Sequence, residues 1–328
     1  MIALGIESTA DNLGIGIVSN DKEVHANILD VHVPSEGGIH PREAARHHSE
    51  RMGEALKNAL DTAELSASDL DLIAFAQGPG LGPCLRTGAT GARALATFLG
   101  KPLIGVNHCI AHIEIGRMAT GAVDPLTLYV SGGNTIVSGY ESGRYRIFGE
   151  TLDIAVGNCL DTFARDAGLE YPGGPDIERL AQKGGKFIHL PYVVKGMDLS
   201  YSGMLTAIMG EYRTGEHSIE DLCFSLQETA YAMLGEITER ALVHTDKPEL
   251  LLTGGVAANK RLSGIVRDIA EEHGAKPYVV PIRLAADNGA MIAWTGIIAY
   301  KAGRRTEVNS SYVNPSWRMD QVEIPWRR

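Results

Sequence analysis

The chain is predicted to be an α/β protein whose two halves open on the same motif. A strand, a polar turn and a second strand occupy Ile2 to Val18, and the pattern returns from Leu126 to Val137. Between such runs lie helical periods of apolar and small residues. Glycine is the third sign. It accounts for 38 of 328 residues, above the usual share of about 7%, and it clusters at Gly78–Gly82, Gly132–Gly133, Gly173–Gly174 and Gly254–Gly255. Such clusters mark loops that approach a ligand closely.

In order, Ile2 to Ile6 is an apolar run, Glu7 to Asn12 a polar turn, and Leu13 to Val18 a second run. Pro41 to Ala63 follows a helical period through Ala44, Ala45, Met52, Ala55, Leu56 and Leu60. Leu72 to Ala76 reads as a short buried strand, Gln77 to Cys84 as a Gly/Pro loop, and the chain from about Leu85 as a closely packed helix. In the second half, Leu126–Val130, Ile136–Val137 and Tyr145–Phe148 are strand candidates around a Ser131-Gly-Gly-Asn-Thr turn. Ser8 and Ser131 hold matching turn positions, each with hydroxyls and N–H groups suited to phosphate. Glu249 to Leu252 is a further strand, Thr253–Gly255 a turn, and Val256 to Val266 opens a helix carrying Asn259. Asp287 stands near the start of a last long helix, where alone it reads as an N-cap.

Bulk properties bound the function. Apolar residues are 44% and charged residues 21%, a globular balance. The net charge of −10 gives no general attraction to nucleic acid or anionic membranes. An RNA substrate would need a local patch or a partner. Cys84, Cys109, Cys159 and Cys223 show no C-x-x-C pair and read as buried thiols. Glu7 comes too early for a signal peptide, and the apolar run Ala290 to Tyr300 is too short for a membrane span. A soluble, cytoplasmic protein is expected.

The segment KPLIGVNHCIAHI sets His108 and His112 four apart after a buried strand. On a helix, such a pair shares a face and can close on one metal ion. A zinc protease would place Glu after the first His; Cys109 stands there instead. His40, His47 and His48 lie beside Arg42 and Arg46, which repel a cation, so they read as an exposed helix face.

The motifs IESTADN, GGIHPREAARHH, QGPGLGPCLRTGATGARALA, NHCIAHIEIGR, LYVSGGNT, GNCLDTFAR, YPGGPDIERLA, LTGGVAANKRL and AADNGAMIA follow one another along almost the whole chain. Together they resemble the family that makes N6-threonylcarbamoyladenosine (t6A) in transfer RNA, and in particular the catalytic subunits of the archaeal and eukaryotic KEOPS complex. The resemblance implies a two-lobed actin/Hsp70/sugar-kinase-like (ASKHA) fold. Residues 1–121 would form the N-terminal subdomain with a helical insert. Residues 122–328 would form the C-terminal one, its last helix packing back on the first.

The resemblance also implies a metal-dependent acyltransferase. It would move a threonylcarbamoyl group from threonylcarbamoyl-AMP to N6 of adenosine 37 in tRNAs reading codons that begin with A. His108, His112 and Asp287 match its metal ligands, with Tyr129 reaching the metal from the second half. The ion would be iron or zinc. Tyr129, Val130, Ser131, Gly132 and Gly133 match the loop around the adenylate, or an ATP-like nucleotide. Asp161, Gly174, Glu178 and Asn259 match positions around its ribose and base. Asp161 follows the Gly157-Asn158-Cys159 turn, and Glu178 falls in the first turn of a helix after Pro175. Implied partners are tRNA, a small kinase, a small dimerising subunit and an accessory subunit, with no membrane. At position 11 archaeal members often carry His; this chain has Asp11, which is not assigned as a ligand. The rivals are a sugar kinase or Hsp70-like ATPase of the same fold, and a nucleotide-sensing scaffold.

Overall fold

The computed structural model describes residues 1–33 and 38–327. Gly37 of the GGIHP motif and Arg328 lie outside that range. The chain forms two compact units: Met1–Ala119 with Glu141–Tyr145 and Asp287–Arg328, and Thr120–Tyr140 with Arg146–Ala286.

Unit 1 holds a sheet of β1 (Ile2–Glu7), β2 (Asn12–Ser19), β3 (Val24–Val31), β4 (Leu72–Gly78) and β5 (Leu103–Asn107), in the order β3-β2-β1-β4-β5. β2 runs antiparallel to both β1 and β3, whereas β4 and β5 run parallel to β1. Its helices are α1 (Pro41–Thr62), α2 (Gly82–Leu99), α3 (His108–Thr120) and α10 (Gly289–Lys301). Alternation along the strands divides the work. Leu4, Ile6, Leu13, Ile15 and Ile17 join a core with Met52 and Ala55 of α1 and Ala89 and Ala92 of α2. On the opposite face stand Gly5, Gly14 and Gly16, and the backbone at the start of α10 lies against them. A Cβ at Gly5 would come 2.2 Å from Ala293 N, and one at Gly16 would come 2.1 Å from Ala290 N. No side chain fits in either place.

Unit 2 repeats the plan with β6 (Leu126–Val130), β7 (Thr135–Glu141), β8 (Arg144–Glu150), β11 (Glu249–Thr253) and β12 (Lys276–Val279), in the order β12-β11-β6-β7-β8. An antiparallel β6–β7 pair again has parallel strands added beside it. Two-residue strands β9 (Val194–Lys195) and β10 (Asp198–Leu199) form a separate ladder. The helices are α4 (Val156–Asp166), α5 (Gly174–Ala181), α6 (Ser202–Thr214), α7 (Ile219–Thr245), α8 (Lys260–Glu272) and α9 (Ile282–Ala285). Ser218 caps α7 by accepting the Asp221 N–H, and Leu222, Leu226, Ala230, Leu234 and Ile237 build the core around it. All four cysteines are free and buried. Among the described residues no helix is long and apolar enough to cross a membrane.

Candidate functional site

His108 is the first residue of α3, directly after β5, so both histidines are presented where a parallel strand ends. Every residue from His108 to Gly116 is buried. Asp287 arrives from the other end of the chain, just before α10. Its neighbour Asn288 is the N-cap of that helix and accepts the Met291 N–H at 2.9 Å. The capping role falls to Asn288, and Asp287 turns to the histidines. Its Oδ1 lies 3.0 Å from His112 Nε2 and 3.5 Å from His108 Nε2. The imidazole centroids are 4.7 Å apart and the rings nearly perpendicular. Among the described residues this is the one group of three or more His, Cys, Asp or Glu side chains whose ligand atoms all lie within 4.8 Å of one another.

Behind the triad stands Glu7, the last residue of β1, with no exposed surface. Its Oε2 is 2.9 Å from His108 Nδ1, and its Oε1 accepts the Thr9 N–H at 2.7 Å. A carboxylate that takes the Nδ1–H fixes the tautomer and leaves the Nε2 lone pair for a ligand. Sequence reading missed Glu7. The available signal was an acidic residue ending an otherwise apolar strand, beside a turn already under suspicion.

The charges reinforce one another. Burial pushes His108 down, but the Glu7 and Asp287 carboxylates outweigh it and raise the imidazole to about 9. Burial lowers His112. Burial would raise Asp287, yet the two histidines and a hydrogen bond from Asn12 hold its carboxyl below the usual range. Two imidazole nitrogens and a carboxylate oxygen converge, with a second carboxylate orienting one ring. This donor set fits a divalent iron or zinc ion with a position left open.

The Glu7–Asn12 turn is braced from beneath. His48 is fully buried and its Nε2–H donates to the Ala10 carbonyl at 2.9 Å. This corrects the reading of an exposed histidine face: His40 is exposed, His47 lies 2.9 Å from Asp30, and His48 is a core residue. The Ser8 hydroxyl is also turned inward, towards Gly88 of α2, where a Cβ would meet it at 2.0 Å.

In unit 2, the turn after β6 is tied within itself. The Ser131 Oγ accepts the Asn134 N–H at 3.1 Å, and the fully buried Tyr129 phenol lies 3.4 Å from Ser131 Oγ and 3.3 Å from Asn134 Nδ2. Gly132 and Gly133 are exposed. Val130 touches the next loop, since a Cβ at Gly254 would come 2.1 Å from its carbonyl oxygen. Gly157 packs on Ser131 in the same way, at 2.6 Å.

The other predicted residues lie on α4, on α5 and at the start of α8. Gly157 to Cys159 lie inside α4 rather than in a turn, so Asp161 is a helical residue whose Oδ1 accepts the Gly173 N–H at 2.8 Å, ahead of Gly174 at the start of α5. Glu178 is past the first turn of α5, and its Oε1 accepts the Lys260 N–H at 2.9 Å, at the start of α8. Asn259 caps α8 by accepting the Leu262 N–H at 3.1 Å, and its Nδ2–H donates to Gln227 at 3.0 Å.

Among the described residues, the C-terminal arginines are engaged. Arg304 pairs with Glu323 at 3.0 Å, Arg318 lies 3.4 Å from Asp320, Arg305 lies over the Tyr300 ring, and Arg327 donates to the Tyr145 hydroxyl at 3.1 Å.

A family model described as tRNA N6-adenosine threonylcarbamoyltransferase (TsaD) matches residues 22–294. A protein of that name from Thermococcus kodakarensis is 57% identical over 326 residues, 99% of this chain and 100% of the relative. One from Archaeoglobus fulgidus is 56% identical over 99% of this chain and 100% of the relative. A "probable bifunctional tRNA threonylcarbamoyladenosine biosynthesis protein" of Methanocaldococcus jannaschii is 55% identical over 99% of this chain, which spans 60% of that relative. Among solved structures, HypF of T. kodakarensis aligns with a TM-score of 0.64 at 16% identity, over 92% of this chain and 48% of HypF. The activator of 2-hydroxyisocaproyl-CoA dehydratase from Clostridium difficile aligns at 0.56 and 12% identity, over 92% and 97%. These two likenesses establish the ASKHA-type fold.

Proposed function

Since the chain belongs to the family of tRNA N6-adenosine threonylcarbamoyltransferases, and so is a transferase, we propose that it places the threonylcarbamoyl group of threonylcarbamoyl-AMP on N6 of adenosine 37. Its substrates are then tRNAs that read codons beginning with A, and its product is t6A. The observation that carries this reading beyond the family match is the His108–His112–Asp287 convergence with Glu7 behind it. Phosphotransfer or ATP hydrolysis has no need of paired histidines at this place.

His108, His112 and Asp287 would hold one iron or zinc ion, with Tyr129 as a further ligand. When bound, such an ion supplies Lewis-acid polarisation to substrate oxygens. Glu7 keeps the His108 proton on Nδ1, away from the ligand side. In unit 2, the side-chain-free Gly132 and Gly133 present N–H groups suited to the phosphate of the adenylate. Asp161, Gly174, Glu178 and Asn259 shape the loops around its ribose and base. In the reaction, the N6 amine attacks the carbamoyl carbon and a C–N bond forms. The bond from that carbon to the phosphate oxygen breaks, AMP leaves with the electron pair, and the amine loses a proton.

The net charge of −10 and the paired arginines support action within an assembly. Its other members would be a small kinase, a dimerising subunit and an accessory subunit, working in the cytoplasm. The test is reconstitution of the chain and such partners with tRNA, threonine, bicarbonate, ATP and an adenylate-forming enzyme. Nucleoside mass analysis should show t6A. Absence of t6A together with phosphorylation of a sugar would overturn the reading.

A further inference from the structure

We propose that a cavity in unit 1 is a nucleotide-binding site distinct from the metal-ligand triad, taking one heteroaromatic base against two indoles and its phosphate on two arginines. The cavity, of about 270 Å³, lies beside the edge strand β5 and is lined by Asn107, Arg304, Arg305, Trp317, Glu323 and Trp326 among others. At roughly 30 Å³ per liquid water it has room for about nine waters, on the order of one base with its sugar.

The floor is buried and neutral. Asn107 is already committed, donating to the Trp317 carbonyl at 2.9 Å and accepting the Ile110 N–H at 3.2 Å. Trp326 is a fixed wall, because its Nε1–H donates at 3.0 Å to the buried Glu114 carboxylate. The mouth carries the charge, with Arg304, Arg305 and Glu323 all exposed. In a chain of net charge −10, two adjacent guanidinium groups at the rim of an indole-lined hole are a local exception. Arg304 faces Glu323, and Arg305 lies over the Tyr300 ring and donates to the Tyr300 and Arg304 carbonyls. An apolar ligand would add no anion to this pair of charges, and inorganic phosphate would leave the indoles unused. A nucleotide uses both: bases stack on aromatic rings whatever their identity, and arginine binds phosphate through paired N–H groups. Glu323 is the competing anion. Its pair with Arg304 is well exposed, at 66% and 46% of the two side chains, and pairs of that kind contribute little, so a phosphate can displace it. None of these residues belongs to the triad or to the turns of unit 2, and the proposal does not rest on the transfer reaction.

A free nucleotide and a nucleotide within an RNA strand share this chemistry. Trp317 and Trp326 are two of the three tryptophans, so indole fluorescence reports on the cavity. The purified chain is titrated with AMP, with adenosine and with a short single-stranded oligoribonucleotide, at low and high salt. Saturable quenching that is stronger with AMP than with adenosine, and weakened by salt, is expected. Arg304→Gln/Arg305→Gln and Trp317→Ala should each weaken binding about tenfold or more, and Glu323→Gln should tighten it up to about fivefold. Melting curves verify that each variant is folded. Tighter binding of the oligonucleotide than of AMP identifies a strand as the source, and the reverse order a free nucleotide. No quenching by AMP or by the oligoribonucleotide, or AMP binding untouched by these three changes in folded protein, overturns the proposal.

Discussion

Replacing Glu7 by Gln should weaken metal binding about 10- to 100-fold, the range known for lost carboxylate partners of ligating histidines. At about 1.4 kcal/mol per decade this is roughly 1.4–2.8 kcal/mol. The reason lies in hydrogen-bond polarity. Both Glu7 oxygens accept, one from the Thr9 N–H and one from the His108 ring, whereas an amide offers one acceptor and one donor side. With its oxygen towards Thr9, the amide NH₂ faces His108 Nδ1, and the ring proton moves to Nε2, the atom a metal needs. With its oxygen towards His108, donor faces donor at Thr9 in a fully buried place, at a cost of about 1–3 kcal/mol to the fold. Chelator competition with Zn(II) and Fe(II) from pH 6 to 10, on folded protein, separates the two effects.

The pH dependence follows from the same groups. In metal-free protein the raised His108 value, about 9 against the ordinary 6.5, stabilises the fold fully below pH 6.5. That contribution is lost as pH rises through about 9. A metal must displace the second ring proton, the one on Nε2, so wild-type affinity should climb about tenfold per pH unit and level off near pH 9. In Glu7→Gln the levelling should come at lower pH. Equal affinity and an equal pH profile in the two proteins would refute the reasoning.

Elemental analysis should find bound metal in the wild-type chain and little in His108→Ala/His112→Ala; equal content in both would remove the triad as the site. Gly16→Ala should destabilise unit 1 by about 1–3 kcal/mol or more, because its Cβ would meet the α10 backbone at 2.1 Å. Gly132→Ala, with nothing within 4 Å of the new carbon, should leave the melting temperature unchanged; equal melting of the two variants would contradict the packing described. The isolated chain should bind tRNA weakly and the assembled complex tightly, with a log–log salt slope near −0.9 per duplex phosphate contact. Steeply salt-dependent, tight binding by the chain alone would remove the need for partners.

Local features are read well from the sequence where one physical signal dominates. β6 is predicted to the residue because Leu126–Val130 is a short apolar run closed by a glycine turn. α1 ends one residue before its expected limit. α2 starts three residues earlier than the apolar pattern suggests, because Pro83 is comfortable in a first helical turn. β3 is missed: as an edge strand it carries His25, Asn27 and Asp30 and has no apolar run. α7 is missed for the opposite reason, since burial on most of its sides blurs the helical period. At the site, the histidine pair is legible because its partners are four residues apart. Glu7 is not, because 101 residues separate it from His108. Asp287 and Asn288 are equally good caps by composition, and only the three-dimensional arrangement assigns the cap to Asn288 and the histidines to Asp287.

The insertion of unit 2 within unit 1 gives the triad a history during synthesis. His108 and His112 leave the ribosome together with β5, but Asp287 follows 175 residues after His112, behind all of unit 2. Until then the glycine face of β1 and β2 has no α10 to cover it, and a nascent chain offers two imidazoles with no carboxylate between them. Since ligand completion and folding are coupled in metal sites, an unfinished chain is a poor competitor for cellular metal. If the triad holds a metal as proposed, tight loading would be confined to molecules in which α10 has docked, and metal content would record completed synthesis.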